Sequence, residues 1–214
     1  MRNRFDEQLL LLNHKMIEMG AMCESLISFT SAALLSGNIQ KAREVKAKGQ
    51  EIDQMEREIE SICLKLLLQQ QPVAKDLRQI SAALKMITDM ERIGDQAEDI
   101  AEIIPFLGGR TGAELDDFKR MADATCKMVT ESIDAYVKQD LALAQLVIEH
   151  DDIVDECFLR LKDTLIHMLS ENKADGEYAI DLLMIAKYFE RIGDHATNIA
   201  EWVVFSVTGN HKGE

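Results

Sequence analysis

The sequence predicts an all-α protein built as two tandem three-helix bundles related by pseudo-twofold symmetry. Three observations carry this. Apolar residues recur at helical spacing over six long stretches, and no strand-like alternation lasts more than a few residues. Only two prolines occur, at 72 and 105, among many Leu, Ile, Ala, Glu, Lys and Met. That composition favours long helices, and 5% aromatics is low for a β-rich chain. The pentad Glu91-Arg92-Ile93-Gly94-Asp95 returns unchanged as Glu190-Arg191-Ile192-Gly193-Asp194, and the twelve residues that begin with each pentad agree at nine positions, at an offset of 99. A repeat of this length implies two structural units of one kind.

The first predicted helix covers 4–35, with Phe5, Leu9, Leu12, Met16, Met19, Cys23, Leu26 and Ile27 on its inner face. Gly37-Asn38 breaks the pattern, and Asn38 is suited to cap the next helix. That helix runs over 39–70 with Val45, Ile52, Met55, Ile59, Ile62 and Leu66 inward. Gln71-Pro72 ends it, because the residue before proline avoids the helical region. A third helix follows over 74–104, its stripe formed by Leu77, Ile80, Leu84 and Ile87. Proline and three glycines between 105 and 112 form a linker. The plan then repeats over 114–137, 140–170 and 176–208, with Asp140 opening the fifth helix where Asn38 opens the second. This divides the chain into a bundle at 1–106, a linker at 107–113 and a bundle at 114–214.

Lys and Arg number 24 against 38 Asp and Glu, a net charge of −14. Such a chain is a poor ligand for nucleic acid and for anionic membranes, and suits cations or basic protein surfaces. Cys23, Cys63, Cys126 and Cys157 are far apart with no CxxC, which excludes a zinc ribbon or thioredoxin-type site and fits a reducing cytosol. The N-terminus is too charged for a signal peptide. No run of 18 apolar residues is present, so no membrane span is expected.

The chemistry concentrates in acids one helical turn apart, which share a helix face. Glu91 continues the stripe of Ile80, Leu84 and Ile87, and Asp95 follows it. An acid in line with buried residues must be paired, neutralised or moved to the bundle edge. Gly94 and Gly193 cost about 1 kcal/mol each against alanine, tolerable where a neighbour approaches closely. At an offset of 102 in the first hairpin, Ile52-Asp53 falls on Val154-Asp155. Asp151 and Asp155 are again four apart. In the first half Asp53 stands with Gly49 where Asp151 would map, and Glu56 and Glu60 lie further along. If these faces meet, four or more carboxylates converge. Such oxygen-rich sites take di- or trivalent cations, with Fe, Mn, Mg and Ca all compatible. No ExxH pair, phosphate loop, GxSxG or HExxH occurs, so no enzyme is expected. The alternatives are a carboxylate-bridged metalloenzyme of the phosphoester hydrolase type and a metal-free helical adaptor. His195 is a candidate extra ligand beside Asp194, and Arg78, Arg92 and Arg191 are candidates to orient carboxylates.

These motifs resemble the PhoU family over essentially the whole chain. The duplicated ERIGDxAxxIAE carries the resemblance, supported by Gln71-Pro-Val-Ala-Lys-Asp-Leu-Arg78 and Met19-Gly20. It implies multinuclear iron or zinc clusters on the bundle surface. Carried over by motif, Asp53, Glu91 and Asp95 serve one cluster, and Asp151, Asp155, Glu190 and Asp194 the other. Asn198 matches the family's usual Asn in ERIGDxAxN. Asp99 stands where Asn is expected and is a further candidate ligand. Gly49 departs from the family's Asp, so the first site is expected to be weaker. The resemblance further implies a cytoplasmic negative regulator of the phosphate-starvation response. Such a protein links the ATPase of the phosphate ABC importer to a sensor histidine kinase, commonly as a homodimer.

Overall fold

Six helices form in the computed structural model, which describes residues 2–69, 73–110, 112, 115–171 and 176–210. They are α1 (Arg2–Ser36), α2 (Ile39–Gln69), α3 (Ala74–Ile103), α4 (Leu115–Lys138), α5 (Leu141–Ser170) and α6 (Gly176–Thr208), with a 3-10 turn at Ile104–Leu107 after α3. A helix of thirty residues is ~45 Å long, so the connections must lie at the ends of the bundles. Gln71-Pro72, the far side of the linker and most of the turn before α6 fall outside the described residues.

The α1–α2 connection shows why the chain turns where it does. Gly37 is left-handed at φ 60°, and the Asn38 amide reaches back to the Ala33 carbonyl at 3.0 Å. This closes the C-terminus of α1 in the usual glycine-dependent way. The Asn38 side chain then accepts from the Lys41 amide at 3.0 Å, as expected of an N-cap. The α4–α5 turn repeats the design with a different residue. Asp140 Oδ1 accepts from the Ala142 and Leu143 amides at 3.0 and 3.1 Å. The left-handed position before it is held by Gln139, at φ 56°, not by glycine.

The bundles lie side by side: α3 packs along α6 and α1 along α4, in addition to the contacts within each bundle. One continuous apolar core results, running from Leu12, Met16 and Met19 through Met86 and Met90 to Phe189 and Ile192. Phe118 and Phe189 meet inside the second half with ring centroids 6.2 Å apart. Gly20 marks the α1–α4 contact; a Cβ there would stand 2.9 Å from Ile133 Cγ1. Cys23, Cys63 and Cys157 are buried and Cys126 is half-buried, all unbridged. Burial pushes the Cys23 and Cys63 thiols up to about 12, so neither is nucleophilic.

Two expectations are corrected. Leu77 is 46% exposed, because α3 has partners on two sides and its buried arc centres on Ala83, Met86 and Met90. The stripe Leu77–Ile80–Leu84–Ile87–Glu91 runs along the margin of that arc. Secondly, Arg78 orients no carboxylate among the described contacts; it lies against Gly209 at the end of α6, where a Cβ would be 3.5 Å from Arg78 Cδ. The stretch Arg4–Ser36 of α1 is long and apolar enough by length and composition to cross a membrane, a test that a packed core helix also passes, and here its apolar inner face fills the core.

Candidate metal centre

In the second half, α5 and α6 run antiparallel and bring two one-turn pairs of acids to one seam, Asp151 with Asp155 and Glu190 with Asp194. Gly193 makes the approach possible. A Cβ on it would lie 3.0 Å from Asp151 Oδ1 and 3.3 Å from Val154 Cγ1. Burial, then the charges of Asp155 and Asp194, push the Asp151 carboxyl up to about 6, with Thr197 acting in the opposite direction. Burial and the Glu190 charge also raise Asp155, and burial and Glu190 raise Asp194. Glu190 thus acts on all three, Asp155 acts on Asp151 and Asp194, and Asp194 acts on Asp151. The compensating cation is Lys187, which pairs closely with Glu190; its ammonium also lies over the Phe158 ring, 5.7 Å from the centroid.

The first half is a variant of this arrangement. Gly94 admits α2, and its Cβ position would meet Ile52 at an ordinary 3.5 Å. Glu91 is 22% exposed at the bundle edge, 3.4 Å from Arg92 Nε, and Arg92 Nη1 donates to Asp95 at 2.9 Å. Burial raises the Glu91 carboxyl, with Asp95, Glu56 and Asp53 contributing. Glu56 is raised by burial, then by Glu60 and Asp53. Glu98 joins this group; burial and then the Asp53 charge raise it. Sequence reading passed over Glu98 because its counterpart at the offset of 99 is the uncharged Thr197.

Two expected ligands point elsewhere. Asn198 Nδ2 donates to Asp89 Oδ1 at 3.2 Å, and His195 Nδ1 is 2.9 Å from the same oxygen. Both therefore bridge α6 to α3 between the halves, though His195 lies close enough to Asp194 to act on its charge. Asp89 has Tyr188 as its counterpart in the repeat, so no duplicated pattern marked it. Asp99 is also turned towards that interface: burial and then Glu102 and Asp95 raise it, and Arg191 on α6 lowers it.

Among the described residues, no three acidic or histidine side chains are already drawn around one point. The donor set nevertheless suits a hard cation. It is all oxygen, several of its carboxylates are held above their ordinary range, and a glycine leaves room for Asp151 beside α6. Holding an ion requires Glu190 to leave Lys187 in the second half, and Asp95 to leave Arg92 in the first.

The molecule thus belongs to the class of duplicated helical bundles that carry one acidic seam in each half. It is a member of the PhoU family, whose PhoU domain matches residues 16–104 and 118–203. A Clostridium acetobutylicum protein named phosphate-specific transport system accessory protein PhoU homolog is 36% identical over 210 residues, covering 97% of this chain and 96% of that one. A Zymomonas mobilis protein of the same name is 36% identical over 211 residues, covering 98% and 89%. The crystal structure of PhoU from Pseudomonas aeruginosa superposes with a TM-score of 0.89 at 31% identity, over 96% of this chain and 100% of that one. The phosphate transport system regulatory protein PhoU from Streptococcus pneumoniae, 24% identical with a TM-score of 0.90 over 98% of this chain and 100% of that one, shares the fold.

Proposed function

We propose that this chain is a non-enzymatic, cytoplasmic regulator of phosphate uptake that works in its metal-loaded form. The observation that carries the reading is the gathering of Asp151, Asp155, Glu190 and Asp194 on one α5–α6 seam, where burial and neighbouring charge raise the three aspartates, with Lys187 as the compensating cation. In this reading Asp151 and Asp155 hold a cluster from α5, and Glu190 and Asp194 hold it from α6. Iron or zinc is the expected metal by family resemblance; Mg, Mn and Ca share the preference for oxygen. The bound cation supplies positive charge that relieves the carboxylate repulsion and locks α5 to α6. Arg92 and Lys187 hold the acids in place while the sites are metal-free.

The accessory-protein names of the relatives support action on a phosphate-specific transport system. The partners in this reading are the importer's ATPase and a sensor histidine kinase, with the protein acting as a negative regulator between them. A homodimer is also part of the reading. It is supported by exposed Leu159 and Ile166 on α5 and Ile180 and Met184 on α6, which α5–α6 packing gathers outside the core. The test is metal analysis of purified protein beside the Glu190→Ala/Asp194→Ala variant, combined with capture of the importer ATPase. Wild type should carry metal and retain the ATPase, and the variant should lose the second-half metal. Equal metal content would remove the cluster; phosphoester turnover abolished by chelation would make the protein a hydrolase instead.

A further inference from the structure

The first half lacks the aspartate at 49, yet its seat is not left without a carboxylate. A Cβ built on Gly49 would stand 1.9 Å from Glu98 Oε1 and 2.9 Å from Glu98 Cδ. The side chain of α3 therefore occupies the space that any residue larger than glycine at 49 would need. The repeat makes the comparison direct. Asp151 corresponds to Gly49 and Thr197 to Glu98. In the second half, α5 supplies the acid and α6 a short hydroxyl beside it. In the first half, α2 has no acid at the matching position 49, and α3 sends a longer acid across the gap. Glutamate has the extra methylene needed to make that crossing. Of the neighbouring charges acting on Glu98, that of Asp53 is the strongest, and Asp95 also contributes, with Lys46 in opposition.

We infer that Glu98 is the fourth carboxylate of the first seam, replacing from α3 the ligand that α2 has lost, so that Asp53, Glu91, Asp95 and Glu98 take a divalent cation. This rests on the metal-bound reading above and adds a ligand outside the family pattern. It also reverses the expectation that Gly49 leaves the first site deficient. Gly49 and Glu98 form one exchanged pair: either change alone disturbs the seam, and both together restore it.

The experiment uses the full chain in an Asp151→Asn/Asp194→Asn background, which disables the second seam. Mn2+ is titrated while free ion is counted by electron paramagnetic resonance, and circular dichroism melts check that every variant is folded. The background should bind Mn2+. Adding Glu98→Gln, which keeps the size and removes the charge, should weaken binding at least tenfold. Adding Gly49→Asp with Glu98→Thr, which copies the second-half pair, should return affinity to within about threefold of the background. Gly49→Ala, which obliges the Glu98 carboxyl to turn aside, should weaken Mn2+ binding when Glu98 is present and have no further effect beside Glu98→Thr. Unchanged binding by Glu98→Gln overturns the assignment of Glu98 and leaves the second-half metal reading standing. Binding by the wild type but not by the background overturns it too. If the wild type itself takes up no Mn2+, Zn2+ or iron, the metal-bound reading falls with it.

Discussion

Replacing Asp151 by Asn should stabilise the metal-free protein at neutral pH, although it removes a proposed ligand. Asp151 is held at about 6 in the folded chain against an ordinary 3.8. That displacement corresponds to about 3 kcal/mol between the two protonation states. The residue is partly exposed, and solvent screening reduces the usable figure to about 1–2 kcal/mol. The sign follows from proton counting. Between 3.8 and about 6 the folded state holds a proton that the unfolded chain has released, so stability falls as pH rises through that window and stays lower above it. Asn carries no charge at any pH and keeps the side-chain size. The gain should therefore be about 1–2 kcal/mol at pH 7.5, a rise of about 2–8 °C in melting temperature for a chain of this length. It should shrink steadily towards pH 4. Calorimetry in chelator at pH 7.5, 6, 5 and 4 reads this directly. A loss of stability at pH 7.5, or a gain independent of pH, would refute the claim that Asp151 is strained by its acidic neighbours. With saturating metal the order should invert, and the variant should melt below wild type.

Metal at 100 times its dissociation constant should stabilise wild type by about 2.7 kcal/mol, seen as a higher melting temperature that EDTA reverses. With Glu190→Ala/Asp194→Ala, only the first-half share should remain. Gln139→Gly should stabilise by about 0.5–1 kcal/mol, because Gln139 sits at φ 56° and a side chain in that region costs about 1–2 kcal/mol. Loss of its 2.9 Å bond to the Tyr136 carbonyl offsets part of the gain, and urea midpoints measure the balance. Gly20→Leu should destabilise by about 2–3 kcal/mol, since even a Cβ stands 2.9 Å from Ile133 Cγ1; thermal melts check this. Ile166→Asp with Ile180→Asp should leave the melt unchanged but turn a dimer into a monomer in sedimentation, because both residues are more than half exposed.

The six helices were legible because each is long enough for its apolar period to repeat, and because Asn38 and Asp140 cap where the pattern restarts. The acid seams were legible through duplication, which placed Glu91 with Asp95 and Glu190 with Asp194 without knowledge of the packing. What escaped depended on the contact between the halves. Nothing in one helix reveals that α3 meets α6, so Asn198 and His195 read as companions of Asp194 when their partner is Asp89, 109 and 106 residues earlier. Leu77 failed for the same reason: a stripe chosen for one neighbour is not the face buried against two. Glu98 escaped because the repeat exchanges it with Thr197, and an exchange across two helices is invisible to position-by-position comparison.

One apolar core runs through both bundles, with the bonds of Asn198 and His195 to Asp89 beside it. Two consequences follow for the molecule as a device. Unfolding should be cooperative across the whole chain, so melting should show a single transition where two independent lobes would show two. On the proposed reading, an ion in either seam would then protect the distant half as well as its own, and a partner docked along α3 or α6 would meet a scaffold whose rigidity reports the combined loading of both.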